Sequence, residues 1–211
     1  MLKVNHLNNS RSQRVLWMLD ELELEYEICF YKRRPTMFAP AELQKIHPLG
    51  KSPIIEDTDS DGQKVIVVES GAICEYLVSK AGGKLGPSSC SGEVLKYREF
   101  LHYAEGSVMP VLFALLVLSQ VPLLGRKTVK RVQPLLDVHL DYVEAQLSSR
   151  PWFAGAQFTA ADIMMSFPLE AARSGNWLGS KRPATIAWLD RIHSRHPYQR
   201  ALEKGGHYAF L

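Results

Sequence analysis

The spacing of apolar residues changes partway along the chain. Residues 2–7 form a short, mostly apolar run that predicts a strand. Between residues 10 and 23, Val15, Leu16, Leu19 and Leu22 fall at i, i+1, i+4 and i+7 and share one helical face. Residues 26–31 are rich in β-forming types and predict a second strand. Residues 40–47 predict a short helix. Ile54-Ile55 and residues 65–68 flank a polar turn over residues 57–62 that contains an Asp-Gly pair. That is a hairpin pattern, longer than the tight two-residue form. A helix over 70–80 places Ile73, Tyr76 and Leu77 on one face. The predicted order is βαβ, a short helix, then ββα.

Gly82-Gly83, Gly86-Pro87 and the small polar residues through Gly92 form a turn-rich stretch, a linker over 84–92. Beyond it only helical spacing appears, over residues 93–120, 129–147, 159–173 and 183–195. Pro110 should bend the first of these helices. Phe158-Thr159-Ala160-Ala161-Asp162-Ile163 reads as a capping box: Thr159 caps the Asp162 amide and Asp162 reaches back. The expected organisation is an α/β domain over 1–83, the linker, and an all-α domain over 93–211.

Composition narrows the function without naming it. With 46% hydrophobic and 22% charged residues, the 211-residue chain should bury a core. A formal net charge of +3 does not argue for nucleic acid. No run of about 18 uninterrupted apolar residues exists, so no membrane span is expected. The N-terminal residues lack the apolar core of a secretory signal. Cys29, Cys74 and Cys90 are scattered, as free thiols in a reducing, cytoplasmic setting would be. The pair His193 and His196 lacks a third ligand, so no metal is expected.

Four segments together resemble the cytosolic glutathione S-transferase family over essentially the whole chain. They are NNSRSQRVLWMLDELELEYE, HPLGKSPII, ESGAICEYL and FTAADI. The first two are most similar to a branch found in fungi and bacteria. The resemblance implies a thioredoxin-like α/β first domain and glutathione as co-substrate. It also implies an electrophilic second substrate and a homodimer built from faces of the helices starting near Ser70 and Glu93. It further implies a cis bond between Ser52 and Pro53, with Ser52 pairing to the cysteine backbone of glutathione. Lys51 would face the glycyl carboxylate, Glu69 the γ-glutamyl ammonium, and Ser70 with its helix N-terminus the γ-glutamyl carboxylate.

The implied chemistry needs a thiolate. A thiol of pKa about 8.5 is only a few per cent ionised at neutral pH. Lowering it by about two units takes roughly 2.7 kcal/mol. A charge-assisted hydrogen bond supplies about 1.5–3 kcal/mol, and a helix N-terminus about 0.3–1, up to about 2 when partly buried. No Tyr precedes Tyr26 and no Cys precedes Cys29, which leaves Asn9, Ser10 and Ser12; the resemblance over the helix points to Asn9 and Ser10 as the candidate donors, Ser10 the favoured one. His102, Glu105, Met109 and Phe113, spaced to share a helical face, with Tyr103 nearby, are the candidate electrophile contacts. Peroxidase activity would use the same thiolate. Two other readings stay open: a glutathione-dependent isomerase or biosynthetic conjugation enzyme, and a non-catalytic binding or assembly module on the same fold.

Overall fold

The computed structural model describes residues 1–34, 36, 38–59, 61–122 and 125–211. They form two compact units: Met1–Gly86 with His193–Ala209 and Leu211, and Pro87–Ile192 with Phe210. Residue 60 of the expected hairpin turn lies outside the described residues.

In the first unit the order is β1 (Leu2–Leu7), α1 (Ser12–Leu22), β2 (Tyr26–Tyr31), a short 3-10 turn (Ala41–Lys45), β3 (Ile54–Thr58), β4 (Lys64–Val68) and α2 (Ser70–Lys80). The sheet runs β2-β1-β3-β4. β1 pairs parallel with β2, while β1–β3 and β3–β4 are antiparallel. Val4 stands opposite Ile28 on one side and Ile55 on the other, and Ile55 opposite Val67. Leu2, Val4, Ile54 and Ile55 are buried, with Leu16, Leu19, Ile73 and Leu77 from the helices. This is the predicted thioredoxin-like βαβ–α–ββα arrangement.

The last helix, α8 (His196–Gly205), packs in this unit against α1. The boundaries at 83 and 93 remain a proposal for the domain division, but packing joins His193–Ala209 to the first unit. The reason is a set of specific contacts. The rings of Trp17 and Tyr198 meet edge to face at 5.0 Å. Gln13 Nε2 donates to the Ala201 carbonyl at 2.8 Å. Arg195 forks onto Glu21, Nε to Oε1 at 2.6 Å and Nη2 to Oε2 at 2.8 Å.

The second unit contains α3 (Ser91–Tyr103), α4 (Met109–Ser119), α5 (Gly125–Ser149), α6 (Ala160–Ser174) and α7, which runs Pro183–His193. The expected single helix from residue 93 to 120 is broken by a π-helical turn, Ala104–Val108. Pro110, near the start of α4, has no N–H for the residue four back, and its ring would crowd that carbonyl. The wider turn just before it absorbs the misfit. Taken as one run, Ser91–Ser119 is long and apolar enough to cross a membrane, by length and composition only. Its Tyr97, Phe100, Leu101, Val108, Leu112 and Leu115 are buried, while Leu95, Phe113, Leu116 and Val117 are exposed.

The capping box starts α6 as expected. The buried Asp162 carboxylate accepts from the Thr159 amide (2.9 Å), the Thr159 hydroxyl (3.2 Å), the Phe153 amide (3.0 Å) and Trp188 Nε1 (3.2 Å). A motif that starts a helix thus also anchors the loop before it and α7 after it.

In the first unit a second buried carboxylate ties β3 to α2. Asp57 accepts from the Tyr76 hydroxyl (2.8 Å), lies 2.8 Å from the Lys80 ammonium, and takes the Thr58 amide at 2.8 Å. Burial alone would raise its pKa, but Lys80, the Thr58 amide and Tyr76 together outweigh it and hold the carboxyl below the usual range. The folded state therefore binds this proton more weakly than the unfolded state does. The stability it contributes is present above the unfolded value of about 3.9 and is lost as pH falls through the lower folded value. Denaturation of Asp57→Asn and the parent should accordingly show a stability difference at pH 7 that shrinks on acidification below pH ~4. A difference independent of pH would refute this linkage.

Candidate active site

The turn between β1 and α1 is built around a hydrogen-bonded chain. His6 is 1% exposed and Ser10 3% exposed. His6 Nε2 lies 3.1 Å from the Gly205 carbonyl at the end of α8. A carbonyl only accepts, so His6 carries its proton on Nε2 and donates there. Its Nδ1 is then an acceptor and takes the Ser12 hydroxyl at 2.9 Å. The Ser12 oxygen accepts the Leu7 amide at 3.1 Å and the Ser10 hydroxyl at 2.7 Å. The Ser10 oxygen accepts the Ser12 amide at 3.2 Å. Burial lowers the His6 pKa, though the Gly205 hydrogen bond pulls it back up, so the ring is neutral at pH 7.

Ser10 therefore lies before α1 rather than in it, and its hydrogen is turned inward. Asn9 takes φ 50°, a left-handed conformation that Asn tolerates better than most residues. Its Oδ1 accepts the Ala209 amide at 2.9 Å, which leaves the two Nδ2 hydrogens facing away from that bond. Arg33 clamps the turn from the other side. It donates Nε to the Asn8 carbonyl (3.2 Å) and Nη2 to the Asn9 carbonyl (3.2 Å), and its amide bonds Asn8 Oδ1 at 2.8 Å. Burial and the neighbouring Arg11 both lower its pKa.

The Ser52–Pro53 bond is cis, as the resemblance implied. The Ser52 hydroxyl donates to the Asn5 carbonyl of β1 at 2.8 Å, fixing this loop to the central strand. Lys51 beside it is exposed. Glu69, not Ser70, occupies the cap position of α2, with φ 69°. Ser70 is the first helical residue and is buried. Arg14 of α1, also buried, donates Nη2 to Ser70 Oγ at 3.0 Å. That bond occupies an oxygen lone pair, so the Ser70 hydrogen is left to donate elsewhere, beside the unsatisfied amides that begin any α-helix. Arg14 thus joins the start of α1 to the start of α2.

In the second unit the candidate electrophile residues differ in exposure. The π turn between Tyr103 and Met109 shifts the helical phase. His102 is exposed, Tyr103 and Glu105 are half-buried, Met109 is buried, and Phe113 is 61% exposed. Burial and the neighbouring Tyr142 and Glu99 push the Tyr103 hydroxyl up to about 12, so it stays protonated; it is hydrogen-bonded with His139 Nδ1 at 2.6 Å.

Reading the sequence alone missed His6, the bonds of Arg33 to the turn and the bond from Arg14 to Ser70. Among the described residues no cluster of three or more His, Cys, Asp or Glu could hold a metal ion.

Comparison with known proteins agrees with this geometry. Residues 1–79 match the family described as glutathione S-transferase, N-terminal domain, and residues 107–196 match its C-terminal domain. Glutathione S-transferase 3 of Schizosaccharomyces pombe is 38% identical, covering 97% of this chain and 88% of its own. Glutathione S-transferase 1 of Saccharomyces cerevisiae is 35% identical, covering 97% and 95%. A glutathione S-transferase from Actinobacillus pleuropneumoniae superimposes with a TM-score of 0.86 at 28% identity, over 99% of this chain and 94% of its own. With both domains matched and likeness to two yeast enzymes running nearly end to end, the chain belongs to the glutathione S-transferase family and uses glutathione as its co-substrate.

Proposed function

We propose that this transferase holds glutathione on the first unit and turns its thiolate on an electrophilic small molecule in the cytoplasm. The observation that carries this reading is the bond from buried Arg14 to Ser70 Oγ. It sets a hydroxyl donor, helix amides and a fixed positive charge at one point, which suits a carboxylate. The γ-glutamyl carboxylate is proposed to bind there, with Glu69 facing the ammonium. Ser52 is proposed to pair with the cysteine backbone, and Lys51 with the glycyl carboxylate. Tyr103, Glu105, Met109, His102 and Phe113 are proposed as electrophile contacts.

Ser70→Ala should weaken glutathione binding about tenfold to a hundredfold, the worth of a charge-assisted hydrogen bond. Loss of fold stability should be smaller, because Ser70 does not occupy the cap position. Calorimetric titration with glutathione checks this, and binding equal to the parent's would remove Ser70 from the site.

The sulfur is proposed to rest against the Asn9–Ser10 turn, where the Asn9 Nδ2 hydrogens are at hand and the Ser10 hydroxyl, turned inward onto Ser12, would donate once its hydrogen turns outward. Ser10→Ala and Asn9→Ala should each raise the pKa of bound glutathione. Each should lower kcat about tenfold to a hundredfold, while leaving glutathione affinity nearly intact. Thiolate absorbance against pH, with turnover measured alongside, separates the two. If neither variant moves the thiol pKa, side-chain donation to the sulfur is wrong.

A homodimer is proposed through faces of α2 and α3, supported by the resemblance to the family and by the small size of the first unit. Light scattering should give twice the 23.8 kDa chain mass. A monomer mass at every concentration would count against it.

A further inference from the structure

The hydrogen-bonded chain behind the first turn has a property that stabilising the turn does not require. The chain can run in two opposite polarities, the second only when His6 carries a proton on both ring nitrogens, so that Nε2 still donates to Gly205; in the first, the Leu7 carbonyl 3.2 Å from Ser12 Oγ competes with Nδ1 for the Ser12 hydrogen. In the resting polarity Ser10 donates to Ser12, Ser12 to His6 Nδ1, and His6 Nε2 to the Gly205 carbonyl. Reversed, His6 Nδ1 donates to Ser12, and Ser12 donates to Ser10. The amides of Leu7 and Ser12 keep their serine acceptors in both cases. Only the outer end changes: in the reversed state the Ser10 hydrogen is free to point away from the chain.

We propose that His6 receives the proton of the glutathione thiol through Ser10 and Ser12. The proposal rests on the reading that places the sulfur against Ser10. In the resting polarity the Ser10 oxygen has accepted one amide and has a second lone pair for the thiol S–H. The S–H bond breaks and an O–H bond forms on Ser10. The former Ser10 proton passes to Ser12, and the former Ser12 proton to His6 Nδ1. Each serine ends with one hydrogen, as it began. The products are a thiolate and an imidazolium, and Ser10 now donates to the sulfur anion. When the sulfur bonds to the electrophile, the proton returns outward by the same path to the leaving group or solvent.

The surroundings suit such a base. His6 meets Phe30 of β2 edge to face at 5.4 Å, Ser12 of α1, and the Gly205 carbonyl of α8. Burial and the Gly205 hydrogen bond are what act on its titration, with no charged side chain among them. The ring is therefore unprotonated before glutathione arrives; the burial that keeps it so also disfavours an imidazolium, and the thiolate formed at the outer end of the chain is the charge proposed to hold it. The Gly205 carbonyl holds Nε2–H in place, so the proton can enter only at Nδ1. That carbonyl can approach because position 205 has no side chain: a Cβ there would lie 2.3 Å from Gln13 Oε1.

The test counts protons. Glutathione is titrated calorimetrically into the parent near pH 7 in two buffers of different ionisation enthalpy, with thiolate absorbance read in parallel. A proton retained by His6 predicts thiolate absorbance with close to no net proton release. Release of about one proton per thiolate would overturn the relay while leaving the thiolate reading intact. Absence of any thiolate band would overturn both. His6→Asn keeps an acceptor for Ser12 but cannot take the proton. It should release about one proton per thiolate, raise the thiol pKa by about one unit, and lower kcat about tenfold with glutathione affinity unchanged. Ser12→Ala cuts the chain while leaving His6 on Gly205, and it should behave alike if His6→Asn does not fold. A parent-like proton count and pH profile in either folded variant refutes the relay.

Discussion

A carbonyl oxygen can accept a hydrogen bond but never donate one, and at Gly205 this orders the polar groups that follow. It sets the His6 tautomer, which sets the direction of the Ser12 hydroxyl, which turns the Ser10 hydrogen inward. The carbonyl belongs to α8, nearly two hundred residues along the chain from His6. Its position depends on the docking of α8 on α1 through Tyr198 against Trp17, the Ala201 carbonyl under Gln13, and Arg195 on Glu21. The end of the chain is in this sense a structural part of the first turn.

Two helix starts carry the rest of the charge arrangement. α1 begins just after the Asn9–Ser10 turn, and α2 begins at Ser70. Arg14 belongs to the first and bonds the second. A helix N-terminus alone contributes about 0.3–1 kcal/mol to an exposed anion, short of the roughly 2.7 kcal/mol needed to shift a thiol pKa by two units. A side-chain donor is required to make up the difference, and Asn9 and Ser10 are the groups of this turn proposed to supply it. Arg33 holds the carbonyls of Asn8 and Asn9 in place, so the donors need little reordering when the anion forms.

The fold was legible because its signals are local and periodic. The apolar spacing of α1, the Asp-Gly turn between β3 and β4, and the Thr159–Asp162 capping box each state their own structure. The break at Ala104–Val108 was not legible, since Pro110 announces a disturbance but not that a π turn will absorb it one step earlier. The broken phase is also why the evenly spaced His102, Glu105, Met109 and Phe113 differ so much in exposure. At the site, Ser10, Asn9 and the Ser52–Pro53 bond could be read from short motifs. The roles of His6, Arg14 and Arg33 depend on contacts with residues far along the chain, at Gly205, Ser70 and Asn8–Asn9, which no single-segment pattern carries. Ser70 is the first helical residue of α2 and Glu69 takes the cap position, a distinction residue type alone does not make.

The protonation state of one imidazole decides whether this arrangement is as described. Long-range nitrogen–proton correlation NMR on histidine-labelled protein reports each ring nitrogen separately. Free enzyme at pH 7 should show His6 protonated on Nε2 only, and saturation with glutathione should move Nδ1 to the protonated, imidazolium range. A His6 that carries its proton on Nδ1 in the free enzyme, or whose Nδ1 signal stays unprotonated when the thiolate has formed, would contradict it.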